Sequence, residues 1–91
     1  MAYSTLSPKR SHEVLDYLFD WRKRLDKNDE IIVSHFEVES GDIEIEKESH
    51  TTTTSTVWVS GGTPGTTAVI NLTIETQAGR TLIYQPMIKI I

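Results

Sequence analysis

The sequence contains no cysteine. That removes disulfide frameworks, thiolate nucleophiles and sulfur-ligated metal sites, and it suits a reducing compartment. No apolar run is long enough to cross a bilayer as a helix. Met1-Ala2-Tyr3-Ser4-Thr5-Leu6-Ser7-Pro8 lacks the charged and apolar regions of a signal peptide, so the sequon Asn71-Leu72-Thr73 is discounted as a glycosylation site. His12, His35 and His50 never fall at i and i+4, which argues against a helical zinc site. There is no Gly-x-Ser-x-Gly elbow. The glycine-rich Gly61-Gly62-Thr63-Pro64-Gly65-Thr66-Thr67 lacks the lysine of a phosphate loop, and no helical pattern follows it. These absences leave no catalytic, cofactor-binding or metal-binding residue to name.

Length narrows the choice further. A chain of 91 residues is one domain that buries only about 60–65% of its unfolded surface. A shielded catalytic cleft is hard to build from it. Positive charge is also short, with nine Lys and Arg against thirteen Asp and Glu. The excess is local. Residues 1–30 are balanced, whereas Glu37 to Glu48 carry six carboxylates and one lysine. That balance argues against phosphate-backbone binding and so against a nucleic-acid partner. No feature calls for a membrane.

What is present is alternation. Around Trp58-Val59-Ser60-Gly61-Gly62-Thr63-Pro64-Gly65-Thr66-Thr67-Ala68, runs rich in β-branched residues flank a loop whose glycines accept positive φ. This reads as a hairpin, with Trp58 as a core aromatic. Residues 51–60 read as one strand. Ala68, Ile70, Leu72 and Ile74 alternate with Val69, Asn71, Thr73 and Glu75, and Gln77-Ala78-Gly79-Arg80 reads as a second hairpin turn. The strand over 81–91 contains Pro86, which has no N–H to donate, so it is expected to be an edge or to be bulged there.

Earlier in the chain, Ile32, Ser34, Phe36 and Val38 form one face and Val33, His35, Glu37 and Glu39 the other. A two-residue Ser40-Gly41 turn would set Val38 against Ile43 and Phe36 against Ile45. The same register sets Glu39 against Asp42 and Glu37 against Glu44, which costs a few tenths to about 1 kcal/mol per like-charged pair. Three readings stay open: a solvated edge kept soluble by charge, a longer loop that staggers the carboxylates, or an acidic patch for a basic partner or cation, although the carboxylates do not follow a calcium-loop spacing. Residues 13–21 fit both a helical stripe (Val14, Leu15, Leu18, Trp21, Leu25) and a strand with Leu15, Tyr17, Phe19 and Trp21 on one face. The aromatic content favours a strand over about 14–20, with Asp20 capping one helical turn across 21–25. Residues 1–12 are polar and turn-forming and read as a flexible arm ahead of a single domain over 13–91.

The motif set Asp16-Tyr17-x-Phe19-Asp20-Trp21, Asp29-x-Ile31, Val57-Trp58-Val59-Ser60-Gly61-Gly62-Thr63-Pro64-Gly65-Thr66-Thr67 and Thr76-x-x-Gly79-Arg80-Thr81 resembles a family of small tailed-phage structural proteins, the fibre–tail adaptor-like proteins. The resemblance spans roughly residues 13–85. It implies an all-β, immunoglobulin-like sandwich of six or seven strands, and it supports the strand reading of 14–20. It further implies a non-enzymatic virion component in the tail region, made in the host bacterial cytoplasm. Its partners would be other tail, baseplate or fibre proteins, and a symmetric homo-oligomer is compatible with that role. The acidic 42–48 strand and the apolar end Met87-Ile88-Lys89-Ile90-Ile91 depart from the family pattern. A capsid or head–tail accessory is the neighbouring alternative. A small carbohydrate-binding module, using Tyr3 and Tyr84, is the alternative of another class. The charged residues expected to make protein contacts are Lys9 and Arg10 with Tyr3 in the arm, Arg22, Lys23 and Arg24 in the basic turn, and Glu37, Glu44 and Glu46 in the acidic segment.

Overall fold

The computed structural model describes the chain from Ser4 to Ile91, with side chains from Leu6 onward. Eight strands follow in order: β1 (Ser4–Thr5), β2 (Leu15–Asp20), β3 (Ile31–Ser40), β4 (Ile43–His50), β5 (Thr54–Gly61), β6 (Thr67–Thr76), β7 (Thr81–Tyr84) and β8 (Pro86–Lys89). They form two sheets. One has the order β2-β5-β4 and is antiparallel. The other has β3 beside β6, with β7 and β8 along the far side of β6 and β1 outside β8. Each sheet is apolar on one face, and the two faces close on each other as a β-sandwich.

The core follows from period-two alternation. Tyr17, Phe19 and Trp21 enter from β2 and the residue after it, Val57 and Val59 from β5, and Ala68, Ile70, Leu72 and Ile74 from β6. The Phe19 ring meets Phe36 of β3 at 5.8 Å and Tyr84 of β7 at 5.7 Å between centroids, joining the sheets. Val14 and Leu18 are left exposed, as strand periodicity requires. A helix would have put Leu18 on the same stripe as Trp21. The one helical turn is where Asp20 allows it: its Oδ1 accepts from Arg22 N at 3.0 Å, and Leu25 N donates to Trp21 O.

The connections depart most from the sequence reading. Ser40-Gly41 is not a hairpin turn. β3 pairs with β6 and β4 pairs with β5, so the chain crosses from one sheet to the other. Gly41 permits this crossing at φ 103°, where a Cβ would stand 2.8 Å from the Ala68 side chain. The crossing also removes the like-charge pairs. Glu39 accepts from Asn71 Nδ2, Asp42 accepts from the amide and hydroxyl of Thr63, and Glu44 lies opposite Ser60. Each of these carboxylates faces a neutral residue or donor instead of another carboxylate.

The glycine-rich loop is likewise no hairpin, since β5 and β6 lie in different sheets. It arches over the end of the core. Gly62, at φ 104°, lies so close to Ile90 that an added Cβ would stand 2.8 Å from its side chain. Gly79 closes the one tight hairpin read correctly from sequence, between β6 and β7.

Smaller corrections have local causes. β5 begins at Thr54 because Thr51 turns the chain, its hydroxyl accepting from the amides of Thr53 and Thr54. Ile32 is exposed because a bulge between Ile31 and Val33 inserts it into β3 and shifts the phase by one. Trp58 is not a core residue: Val57 and Val59 take the inner positions, so its ring stands on the outer face under Lys47 Nζ, 4.8 Å from the centroid.

At Gln85, just before Pro86, the last strand is interrupted without losing register, Leu72 facing Tyr84 and Val69 facing Met87. The described part of the N-terminal segment is not a free arm. β1 pairs in parallel with β8, Leu6 N donates to Met87 O, Lys9 N to Lys89 O, and Ile91 N to Lys9 O.

Candidate functional site

Charge is distributed along the long axis of the three-stranded sheet. β2, β4 and β5 run antiparallel to their neighbours, with Asp20 opposite Thr54 at one end and Ile43 opposite Gly61 at the other. The turn Trp21–Leu25 therefore projects from the first end. Glu44, Glu46 and Asp42 gather at the second. Glu44, opposite Ser60, lies six residues of strand from the Asp20–Thr54 end, or about 20 Å, and Glu46 lies nearer.

At the basic end the triplet is partly engaged. Arg22 Nη2 holds Asp20 Oδ2 at 2.6 Å, and its Nε makes a further bond to the same carboxylate. The guanidinium side-chain hydrogen bonds hold the Asp20 carboxyl down to about 2, with the Arg22 backbone N–H contributing next. Arg24 lies over the Trp21 ring at 5.4 Å and donates to Ile83 O at 3.1 Å. Lys23 is exposed and makes no ion pair or hydrogen bond among the described residues. Of the three it is the cation left for a partner.

At the acidic end, Glu46 accepts from Ser60 Oγ at 2.5 Å and sits at a bulge between Ile45 and Lys47. Hydrogen bonding from the Thr63 hydroxyl keeps the Asp42 carboxyl below the usual range. Glu37 is exposed on β3 and pairs with His35 Nε2 at 3.2 Å, while His35 Nδ1 approaches Glu48 at 3.6 Å. Glu44 is exposed opposite Ser60 and makes no ion pair or side-chain hydrogen bond among the described residues. So Glu37 lies on β3 and Glu44 and Glu46 on β4, in two sheets and not on one hairpin.

Lys9 is corrected outright. Its side chain is buried, and Nζ donates to the carbonyls of Gly61 at 2.6 Å, Arg10 at 2.8 Å and Ser11 at 3.4 Å. Desolvation lowers its pKa, with the Glu13 charge opposing. Three carbonyl acceptors satisfy the ammonium's three donors. Lys9 fastens the N-terminal segment to the glycine-rich loop and is not available to a partner. Arg10 remains exposed, its amide donating to Glu13 Oε1 at 2.7 Å. Tyr3 lies outside the described residues. Tyr84 packs edge-on to both Phe19 and Trp21, so it is no open platform for a sugar ring.

Several motif residues turn out to hold the fold. Asp29 Oδ1 accepts from the amides of Glu30 at 2.9 Å and Ala78 at 3.0 Å, and Gln77 N donates to Glu30 O. Asp29 thereby ties the loop before β3 to the Thr76–Arg80 turn. Trp21 Nε1 donates to the buried Ser55 Oγ at 3.1 Å, which also accepts from Ser34 Oγ at 2.9 Å. No group of three or more His, Asp or Glu side chains is placed to hold a metal ion among the described residues.

One feature was missed by sequence reasoning. On the side of the sandwich away from the β3–β4 contact, Leu6, Leu18, Phe19, Asp20, Trp21, Arg24 and Tyr84 line a groove of about 340 Å³. Its walls are two strands far apart in sequence, β2 and β7, which no local pattern relates. The exposed Leu18 was the only available signal.

No curated protein matches the chain. A family model, described as podophage GP4 fiber-tail adaptor protein gp77, matches residues 9–89. Because that match spans nearly the entire sandwich, the chain belongs to the podophage fiber-tail adaptor family.

Proposed function

We propose that the protein is a structural adaptor of the podophage tail, made in the host cytoplasm and docking tail or baseplate to fibre components through surfaces at opposite ends of a rigid sandwich. The observation that carries this reading is the family match over residues 9–89. The reading involves no chemical step and no cofactor. Protein contacts alone do the work, and the loops and edges of a rigid sandwich suit them.

The separation of charge supports a particular arrangement. With Lys23 at one end and Glu44 and Glu46 at the other, a second copy meets the first head to tail. Such heterologous contacts close into rings when the rotation permits, as a tail with rotational symmetry requires. Contacts between exposed charges weaken with salt. Lys23→Glu and the pair Glu44→Lys with Glu46→Lys are each expected to weaken assembly, and the combined variant to recover part of it. Light scattering at low and high salt measures this. Co-expression with individual tail, baseplate and fibre proteins tests the adaptor role itself. Co-purification with a head protein alone would move the chain to the head–tail junction. Binding to a glycan and to no virion protein would end the adaptor reading.

A further inference from the structure

The groove between β2 and β7 is bordered by a strand edge that no described residue pairs. Among the described residues the main chain of β2 pairs only with β5. Trp21 N donates to Thr53 O, the residue directly opposite it in the continued register. In an antiparallel pair that parity alternates. Leu15, Tyr17 and Phe19 therefore exchange bonds with β5. The N–H and C=O groups of Asp16, Leu18 and Asp20 point the other way, along the groove. The opposite wall is less open, because Arg24 Nη1 occupies the Ile83 carbonyl on β7.

We infer that β2 accepts an added strand from a partner virion protein: an extended segment with two apolar side chains facing inward and a basic side chain facing outward beside Asp16. This rests on the adaptor reading and names the contact it uses. The inward positions fall over Phe19, Trp21, Leu6 and Tyr84, which line the groove. The outward positions fall beside Asp16, Leu18 and Asp20. Asp20 is already held by Arg22, whereas Asp16 is exposed and makes no ion pair among the described residues. Leu18, at 63% exposure, offers apolar area between them. Main-chain bonds supply affinity in strand addition, and alternate side chains supply selectivity.

The same carboxylates disfavour a second copy as the occupant. Two β2 strands paired about Leu18 would set Asp16 against Asp20 at both ends, and like charges directly opposite are destabilising. A basic segment gains where a copy of this chain loses, which is how edge charges select a partner.

The test uses the full chain co-expressed with individual tail and fibre proteins. Leu18→Pro removes an N–H that β5 does not use, so the sandwich is expected to melt cooperatively while binding falls at least tenfold. Asp16→Lys leaves the backbone untouched and is expected to weaken binding by a similar factor, which decides the matter if the proline variant does not fold. In the parent complex, hydrogen exchange of the Asp16, Leu18 and Asp20 amides is expected to slow. If the parent binds a virion protein while both folded variants bind it equally, or those amides exchange as fast in the complex as alone, strand addition at β2 is overturned and the adaptor reading stands. If the parent binds no tail or fibre protein, both fall.

Discussion

The two tryptophans belong to the same three-stranded sheet and have opposite fates. Trp21 is 3% exposed, its indole N–H bonded to Ser55 and its ring packed against Tyr84. Trp58 stands on the outer face under an ammonium group. Both come from strand patterns with apolar neighbours, and residue type does not separate them. Phase does. In β2 the inner face is set by Tyr17 and Phe19, and Trp21 continues it. In β5 the valines on either side of Trp58 take the inner positions, so the largest side chain of the strand is turned out. An aromatic within an apolar triplet is thus no guide to burial until its strand's phase is known.

The comparison can be broken by substitution. Trp21→Ala is expected to cost about 3–5 kcal/mol, the usual range for a buried large aromatic and a large part of a small domain's stability. Urea unfolding measures it, and a loss below about 1 kcal/mol would mean the ring is not core. Ser55→Ala sharpens the point by keeping the ring and removing only its acceptor. A buried donor left unpaired costs about 1–3 kcal/mol, and Ser55→Thr is expected to restore part of that if the extra methyl is accommodated. Trp58→Ala is expected to cost about 1 kcal/mol or less, mostly the exposed cation–π contact. Lys47→Ala should lower stability by a similar small amount, and adding it to Trp58→Ala should change little further. A loss near that of Trp21→Ala would place Trp58 inside and reverse the phase of β5.

The smallest effect concerns the turn that follows β2. The Asp20 carboxyl is held at about 2, below its ordinary value, by hydrogen bonds from Arg22. A depressed folded pKa contributes stability that is complete above the unfolded value and is lost as pH falls through the folded one. Asp20→Asn is therefore expected to flatten the acid limb of the stability curve between about pH 4 and pH 2 and to leave Trp21 buried. The pair is exposed, so the effect is slight and shrinks with salt.

Much of the architecture was legible because a sheet writes its burial at every second residue. The alternations at 15–21 and 68–74, the turn at Gly79 and the interruption just before Pro86 all follow from local chemistry, and the family motifs carried the class. What was not legible were the pairings. Ser40-Gly41 has the composition of a tight turn, and only the unfavourable facing of Glu39 with Asp42 and Glu37 with Glu44 hinted that β3 and β4 do not pair. Bulges at Ile32 and Glu46 shift the phase by one residue, and no residue type announces them. Among the candidate contact residues, the acidic ones lie on the surface as their charge demands. Lys9 does not, because its acceptors are main-chain carbonyls, one of them 52 residues away, and a sequence displays no carbonyl geometry.

The docking of the first strand on the last has a consequence for biosynthesis. β1 and Lys9 are synthesised well before β8 and Ile90, with which they pair. Until then Ser4–Lys9 has no mate, and the Lys9 ammonium has no finished Gly61 arch to enter. The sandwich cannot close during translation of its early strands, so its completion is a late event that depends on the most distant contacts in the chain. Such long closures are slow and leave edges exposed meanwhile. The N-terminal pairing and the buried ammonium site are thus completed only once β8 and Ile90 are available to close them.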